Sequence, residues 1–306
     1  MRVASIDIGT NTCLLLIAEI QNNSLVSLFN AIRFPRSGEN VDKTNLISKI
    51  SQEKLKNVLI EYKSIISNFC VEKIFVVATS SFRDTKIKIE ILNFIKTETD
   101  LEIEVLSGDN EAKLTFIGAL HNLNLENKNK ISVFDIGGGS TEITTLVEKN
   151  LIAKSIDVGA VRLKEKFFEN EIPKNFEIKN ARKFIQNELQ KFDKNSISNS
   201  IAIGVAGTVT TVAGLKQKIL FFDEREIHNT NLNFSDVTFF FEKLKIMHHK
   251  EILNLSTITK GREDIIFSGV LILYEVMKFF NWEKIIVSTC GLRYGVLLKN
   301  ILGKNF

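Results

Sequence analysis

Ser5-Ile6-Asp7-Ile8-Gly9-Thr10-Asn11-Thr12 recurs 128 residues later as Val133-Phe134-Asp135-Ile136-Gly137-Gly138-Gly139-Ser140. Each copy is an apolar run, then Asp-Ile-Gly, a turn of small residues and a second apolar run. Short apolar runs bounded by glycine read as buried strands. One such segment is unremarkable; two copies in matched strand–turn–strand settings, near the start of each half, read as a duplicated domain. Working outward, the first half predicts strands over 3–8, 14–20 and 25–34 and an amphipathic helix over 48–69. A strand over 74–79, a helix over 87–99, a strand over 101–106 and a helix over 110–120, capped by Ser107 or Asp109, complete it. The second half restarts near Ile131 with strands over 131–137, 142–148 and 151–155. Helices follow at 160–169 and 178–193, then a strand over 201–208 opening into a helix over 209–216. Helices at 235–246 and 262–280, a strand at 285–289 and a helix at 291–302 finish the chain. Alternating strands and helices define an α/β protein with helix-covered sheets.

The chain has 306 residues, of which 44% are hydrophobic and 25% charged, with a formal net charge of +4. That is globular composition, with room for about two domains. The slight basic excess describes neither a nucleic-acid coat nor a membrane-surface protein, but allows a local basic surface for an anionic substrate. Cys13, Cys70 and Cys290 are odd in number and far apart, so neither a disulfide framework nor a zinc ribbon is expected, and a reduced, cytoplasmic compartment fits. Asp7 interrupts the N-terminal apolar run, which argues against a signal peptide. The most apolar later stretch, 265–277, is too short to span a bilayer. His228, His248 and His249 read as surface or packing groups, and Phe221-Phe222 and Phe239-Phe240-Phe241 as core or packing aromatics.

Chemistry concentrates in the glycine turns. An Asp at the end of a buried strand, followed by a glycine turn, directs main-chain N–H groups at an anion. Thr10, Thr12, Ser140 and Thr141 add hydroxyls. The Asp135–Thr141 run, with three consecutive glycines, favours phosphate over a plain hairpin; for the first copy alone the plain hairpin is the better reading. Gly204–Gly214 is a third glycine turn, opening into a helix whose N-terminus can hold an anion. No GxxxxGK[ST] or GxGxxG occurs. Arg83 lies just past a strand, where its fork can clamp phosphate. Glu111 lies in the first turn of a helix; it reads either as a complement to the helix dipole or as a carboxylate that activates water.

Taken together, the motifs resemble the exopolyphosphatase and guanosine pentaphosphate phosphohydrolase family of the actin, Hsp70 and sugar kinase superfamily. The resemblance runs in order through IDIGTNT (6–12), ATSSFRD (78–84), SGDNEA (107–112), DIGGGSTE (135–142), DVGAVRL (157–163), GVAGT (204–208), GREDII (261–266) and STCGLRYG (288–295). It implies two ribonuclease-H-like domains with mixed sheets flanked by helices, over 1–124 and 125–290, facing an active-site cleft. The C-terminal helix, 291–306, is expected to pack back on the first domain. It implies release of phosphate from inorganic polyphosphate or from the 5′ end of pppGpp. By motif, Glu111 matches the catalytic base. Arg83, Gly137, Gly138, Gly139, Ser140 and Thr141 match phosphate-binding positions, as do Gly9, Thr10, Asn11 and Thr12, and Gly207 with Thr208. Asp135 matches a metal-linked aspartate, with Asp7 and Glu142 as further ligands of Mg²⁺; a monovalent cation is a second cofactor candidate. A cytoplasmic homodimer, acting on neither nucleic acid nor membrane, is the expectation. Leu14 departs from the basic residue often found there, and Arg262-Glu263-Asp264 replaces the usual Arg-Ala-Asp. An ATP-dependent kinase of the same superfamily and a non-catalytic sensor of the same ligands stay open as alternatives.

Overall fold

The structure is a computed structural model and describes residues 1–125, 130–147 and 150–304. Contacts divide the chain into two units. The first runs from Met1 to Gly118 and regains the chain at Leu292; the second runs from Ala119 to Gly291.

In the first unit, β1 (Arg2–Ile8), β2 (Cys13–Gln21), β3 (Ser24–Arg33), β4 (Lys73–Ala78) and β5 (Glu104–Val105) form one sheet in the order β3-β2-β1-β4-β5. Strand β1 pairs antiparallel with β2 and parallel with β4. Its Val3, Ala4, Ile6 and Ile8 are fully buried, as expected of a central strand covered on both faces. The Lys49–Ser67 helix, capped by Ser48 Oγ accepting from Ser51 N–H, lays Leu55, Leu59, Tyr62 and Ile66 into the core of this sheet. The Leu292–Leu302 helix belongs to the same unit, and Leu292 and Val296 pack with Val77, Leu106 and Leu114.

In the second unit, β6 (Lys130–Ile136), β7 (Thr141–Val147), β8 (Asn150–Ile156), β9 (Ile201–Val205), β10 (Thr230–Asn233) and β11 (Lys284–Val287) follow the order β10-β11-β9-β6-β7-β8. The two sheets share more than their order. Ile8 faces Cys13 as Ile136 faces Thr141, and Val3 pairs with Lys73 as Ile131 pairs with Ile201. Every one of these positions is displaced by the same 128 residues that separate the two Asp-Ile-Gly motifs. β1 and β6 also share one alternation of covered and buried residues. The duplication is therefore one of register as well as of sequence.

Several boundaries differ from the sequence expectation. The strand expected over 101–106 keeps two paired residues, because β5 meets β4 only at Glu104 and Val105. Strand β9 ends at Val205, and the next helix begins at Ala206, not at Val209, after Ala206 takes a left-handed φ of 67°. The helix expected from residue 262 starts at Ile266, since Arg262 to Asp264 form a turn closed by Arg262 N–H to Thr259 O. Helices expected over 160–169, 178–193 and 235–246 run Ala160–Phe167, Asn175–Leu189 and Phe234–Leu244. Ser107, whose Oγ accepts from Asn110 N–H, caps the Gly108–Ala119 helix; Asp109 lies inside it. Residue 148, expected at the end of a strand, lies outside the described residues. Strand β10, Thr-Asn-Leu-Asn, has too little apolar alternation to be read as a strand; its antiparallel place beside β11 makes it one. Phe240 and Phe241 join the core, but Phe221, Phe222 and Phe239 are exposed, against expectation. Among the described residues no helix is long and apolar enough to cross a membrane.

One close contact fixes the C-terminal helix. A Cβ at Gly295 would lie 1.8 Å from the carbonyl oxygen of Leu114. Backbone cannot give way as a side-chain tip does, and overpacking of this kind costs about 1–3 kcal/mol or more. Gly295→Ala is expected to lower the melting temperature by several degrees in calorimetry. An unchanged melting temperature would contradict this contact.

Candidate active site

The first unit brings together two residues that lie 28 apart. Arg83 closes the short Ser80–Asp84 helix that follows β4, and Glu111 sits in the first turn of the Gly108–Ala119 helix. Arg83 Nη1 donates to Glu111 Oε2 at 2.6 Å and to the Leu106 carbonyl at 3.0 Å. Glu111 is buried, its side chain 10% exposed, and Arg83 is partly covered. So Arg83 is not the surface arginine that its sequence alone would favour, and Glu111 does more than complement a helix dipole. The pair holds an oriented carboxylate beside a guanidinium.

The two Asp-Ile-Gly turns are closed alike. Gly9 N–H donates to Thr12 O at 2.8 Å, and Gly137 N–H to Ser140 O at 3.0 Å. Each turn also has its carbonyls tied back from behind. In the first, Gly38 N–H donates to Thr10 O and Arg36 N–H to Asn11 O. In the second, the N-terminus of the Ala160–Phe167 helix does this work. Ala160 N–H donates to Gly137 O, Val161 and Arg162 N–H to Gly138 O, and Arg162 Nε to Gly139 O at 2.7 Å. A helix start has orphan N–H groups to spend, and here they take up the loop's carbonyls. Among the described residues the amides of Gly138, Gly139 and Ser140 make no hydrogen bond. That combination, carbonyls occupied behind and amides available in front, is what an anion cradle needs. The Thr141 hydroxyl is spent on the Val158 carbonyl, which leaves Ser140 as the available hydroxyl of this turn.

Sequence reasoning did not single out Gly159. A Cβ there would lie 2.3 Å from Gly138 O and 2.4 Å from the Gly139 carbonyl carbon. Only glycine lets the loop rest on this helix start; the DVGAVRL segment carried that signal.

At the third turn, Thr208 is buried and its hydroxyl and methyl press on Gly269. The Arg262 guanidinium lies where a Cβ on Gly207 would be, at 2.0–2.5 Å from that position. Burial pushes its pKa down to about 10, so it still carries its charge at neutral pH. Arg262 is a second residue that sequence reasoning left out of the site, although GREDII marked it.

The aspartates differ in their company. Asp135 faces Glu142 across the β6–β7 hairpin, whereas Asp7 faces Leu14 at the corresponding place. Glu142 is buried and accepts from Ser155 Oγ at 2.6 Å. Directly opposed side chains stand about 4.5–5.5 Å apart at Cβ, and like charges there repel. For Asp7, burial pushes the carboxyl from 3.8 up to about 6, with the Arg293 guanidinium pulling it back down. The folded-state value lies above the unfolded one. Stability from this group is therefore complete below about pH 3.8 and lost as pH rises through about 6. Asp7→Asn is expected to flatten that slope in urea unfolding and to raise stability at neutral pH by about 1–3 kcal/mol. Wild-type stability that stays constant between about pH 4 and 6 would refute the assignment.

The fold is the duplicated, actin-like one, two mixed sheets flanked by helices. The sequence model of the Ppx/GppA phosphatase family matches residues 16–304, and the chain belongs to that family. It is 33% identical over 313 residues to a bifunctional 3-dehydroquinate synthase/phosphatase of Fusobacterium nucleatum. That alignment covers 98% of this chain but 47% of the relative, so the chain spans about half of that protein's length. It is 29% identical to exopolyphosphatase 2 of Mycobacterium tuberculosis, with 90% of each chain covered. Among solved structures, a Ppx/GppA family member from Aquifex aeolicus superposes with a TM-score of 0.82 at 30% identity, covering 100% of this chain and 99% of that one.

Proposed function

We propose that the chain hydrolyses the terminal phosphoanhydride of inorganic polyphosphate and releases inorganic phosphate. The observation that carries this reading is the Arg83–Glu111 pair, a buried carboxylate fixed by an arginine at the start of a helix. The name of the M. tuberculosis relative supports the substrate class. In this reading Glu111 orients the attacking water and takes its proton as the water oxygen bonds to the terminal phosphorus. The bond from that phosphorus to the bridging oxygen breaks, and the shortened chain leaves with the electron pair. Arg83 stabilises the equatorial oxygens of the transferred group. Within the second unit, the amides of Gly138 and Gly139 and the hydroxyl of Ser140 bind phosphate oxygens.

A divalent ion such as Mg²⁺ fits the Asp135–Glu142 pair, and Asp7 is a further carboxylate in the corresponding turn. Among the described residues no group of three or more His, Cys, Asp or Glu side chains is placed to hold a metal. The rest of the shell would then be water and phosphate oxygens, the coordination Mg²⁺ favours. When bound, the ion would offset charge on the phosphoryl group. Cleavage of the 5′ γ-phosphate of pppGpp uses the same bond chemistry and is the second substrate to test.

The deciding experiment measures phosphate release from polyphosphates of several lengths and from pppGpp, with and without Mg²⁺. Release from polyphosphate is expected. ADP formation that requires a second substrate would replace this reading with a kinase. Tight binding of either ligand without phosphate release would replace it with a sensor.

A further inference from the structure

The chain passes between its two units twice, leaving the first after Gly118 and regaining it at Leu292. Just inside the second unit, one side chain bonds both of these connections. His228 lies between the Glu224–Ile227 helix and β10. Its Nδ1 accepts from Thr289 N–H at 3.2 Å and lies 3.2 Å from Thr289 Oγ1. Its Nε2 lies 3.4 Å from the Asn122 carbonyl oxygen. A main-chain N–H can only donate, so Nδ1 is the unprotonated nitrogen. The ring proton is thereby assigned to Nε2, which donates to Asn122. Burial pushes the imidazole below its ordinary 6.5, consistent with a neutral ring.

We propose that His228 is a positioning residue that clasps the outgoing connection at Asn122 to the returning connection at Thr289. Both stretches lie within four residues of the points where the chain crosses from one unit to the other. Hinges of this kind are a few residues at element ends, remote from the chemistry, and altering them shifts kcat and KM together. A single side chain bonded to both stretches restrains them as a pair, which neither could do alone. The kinetic part of this inference rests on the hydrolase reading; the structural part does not.

The test compares His228→Leu, which removes both bonds, with two half-replacements. Asn sets a carbonyl oxygen near the place of Nδ1, and Gln sets an amide N–H near that of Nε2. Amide hydrogen exchange is followed by NMR alongside steady-state phosphate release and melting temperature. In His228→Leu the Thr289 amide and the amides of residues 119–125 are expected to exchange faster. Kcat and KM should move together by about two- to thirtyfold, with the melting temperature nearly kept. His228→Asn should retain protection at Thr289, and His228→Gln at 119–125; these two variants carry the test should the leucine variant not fold. In the wild type, imidazole ¹⁵N shifts should show the Nε2-protonated tautomer. Unchanged exchange at both connections in His228→Leu overturns the clasp. Faster exchange with unaltered kcat and KM overturns the positioning role. If the wild type releases no phosphate from any substrate, the hydrolase reading fails, while the exchange data still decide the clasp.

Discussion

Glu111→Gln is expected to keep the fold and lower phosphate release by about 10²–10⁴-fold, the usual contribution of a positioned general base. Glutamine has the same shape, and its carbonyl oxygen can still accept from Arg83 Nη1, which also keeps its bond to the Leu106 carbonyl. What is lost is the charge and the ability to take a proton from water. The melting temperature should therefore fall only slightly while turnover collapses. Steady-state phosphate release and calorimetry on one preparation separate the two effects. Turnover close to wild type would remove Glu111 from the role given to it, and a large drop in melting temperature would make the pair structural.

Gly159→Ala should have the opposite profile, with stability and activity falling together. The added methyl would lie 2.3 Å from Gly138 O and 2.4 Å from the carbonyl carbons of Gly138 and Gly139. These are backbone atoms of the loop proposed to hold phosphate, so the loop must move or the Ala160–Phe167 helix must. Either displacement stretches the bonds from Ala160 and Val161 N–H to Gly137 and Gly138. The expected cost is about 1–3 kcal/mol of stability. A misplacement of about 1 Å in such a site costs up to about 10²-fold in turnover. Thermal unfolding and phosphate release both report on it. A variant that matches the wild type in both would show that the loop does not depend on this helix start.

Much of the fold was legible because strands and turns are dictated locally. The apolar runs of β1 and β6, each stopped by Asp-Ile-Gly, specify a strand, a turn and a return strand with no knowledge of the rest of the chain. Their common spacing carried through to the sheet register, where Val3–Lys73 and Ile131–Ile201 are equivalent pairs. The misses were of another kind. Strand β10 is polar and exists only because β11 offers it an edge. The early start at Ala206 requires a left-handed alanine, which local preference disfavours. Three phenylalanines, at 221, 222 and 239, are exposed, and hydrophobicity alone does not reveal which members of an aromatic run face inward.

The sequence by itself determined the duplicated strand–turn–strand units, the α/β architecture and the residue types able to handle phosphate. All of these follow from short-range pattern and from what each side chain can donate or accept. Only the tertiary structure decided which of those groups meet. It joined Arg83 to Glu111 across 28 residues, seated Arg262 on Gly207 and set Glu142 opposite Asp135 while leaving Leu14 opposite Asp7. It also spent the N-terminus of the Ala160–Phe167 helix on the carbonyls of the glycine loop. The reason is physical. A side chain's chemistry travels with its identity, but the burial, partners and orientation that put that chemistry to use come from chain segments far away in sequence.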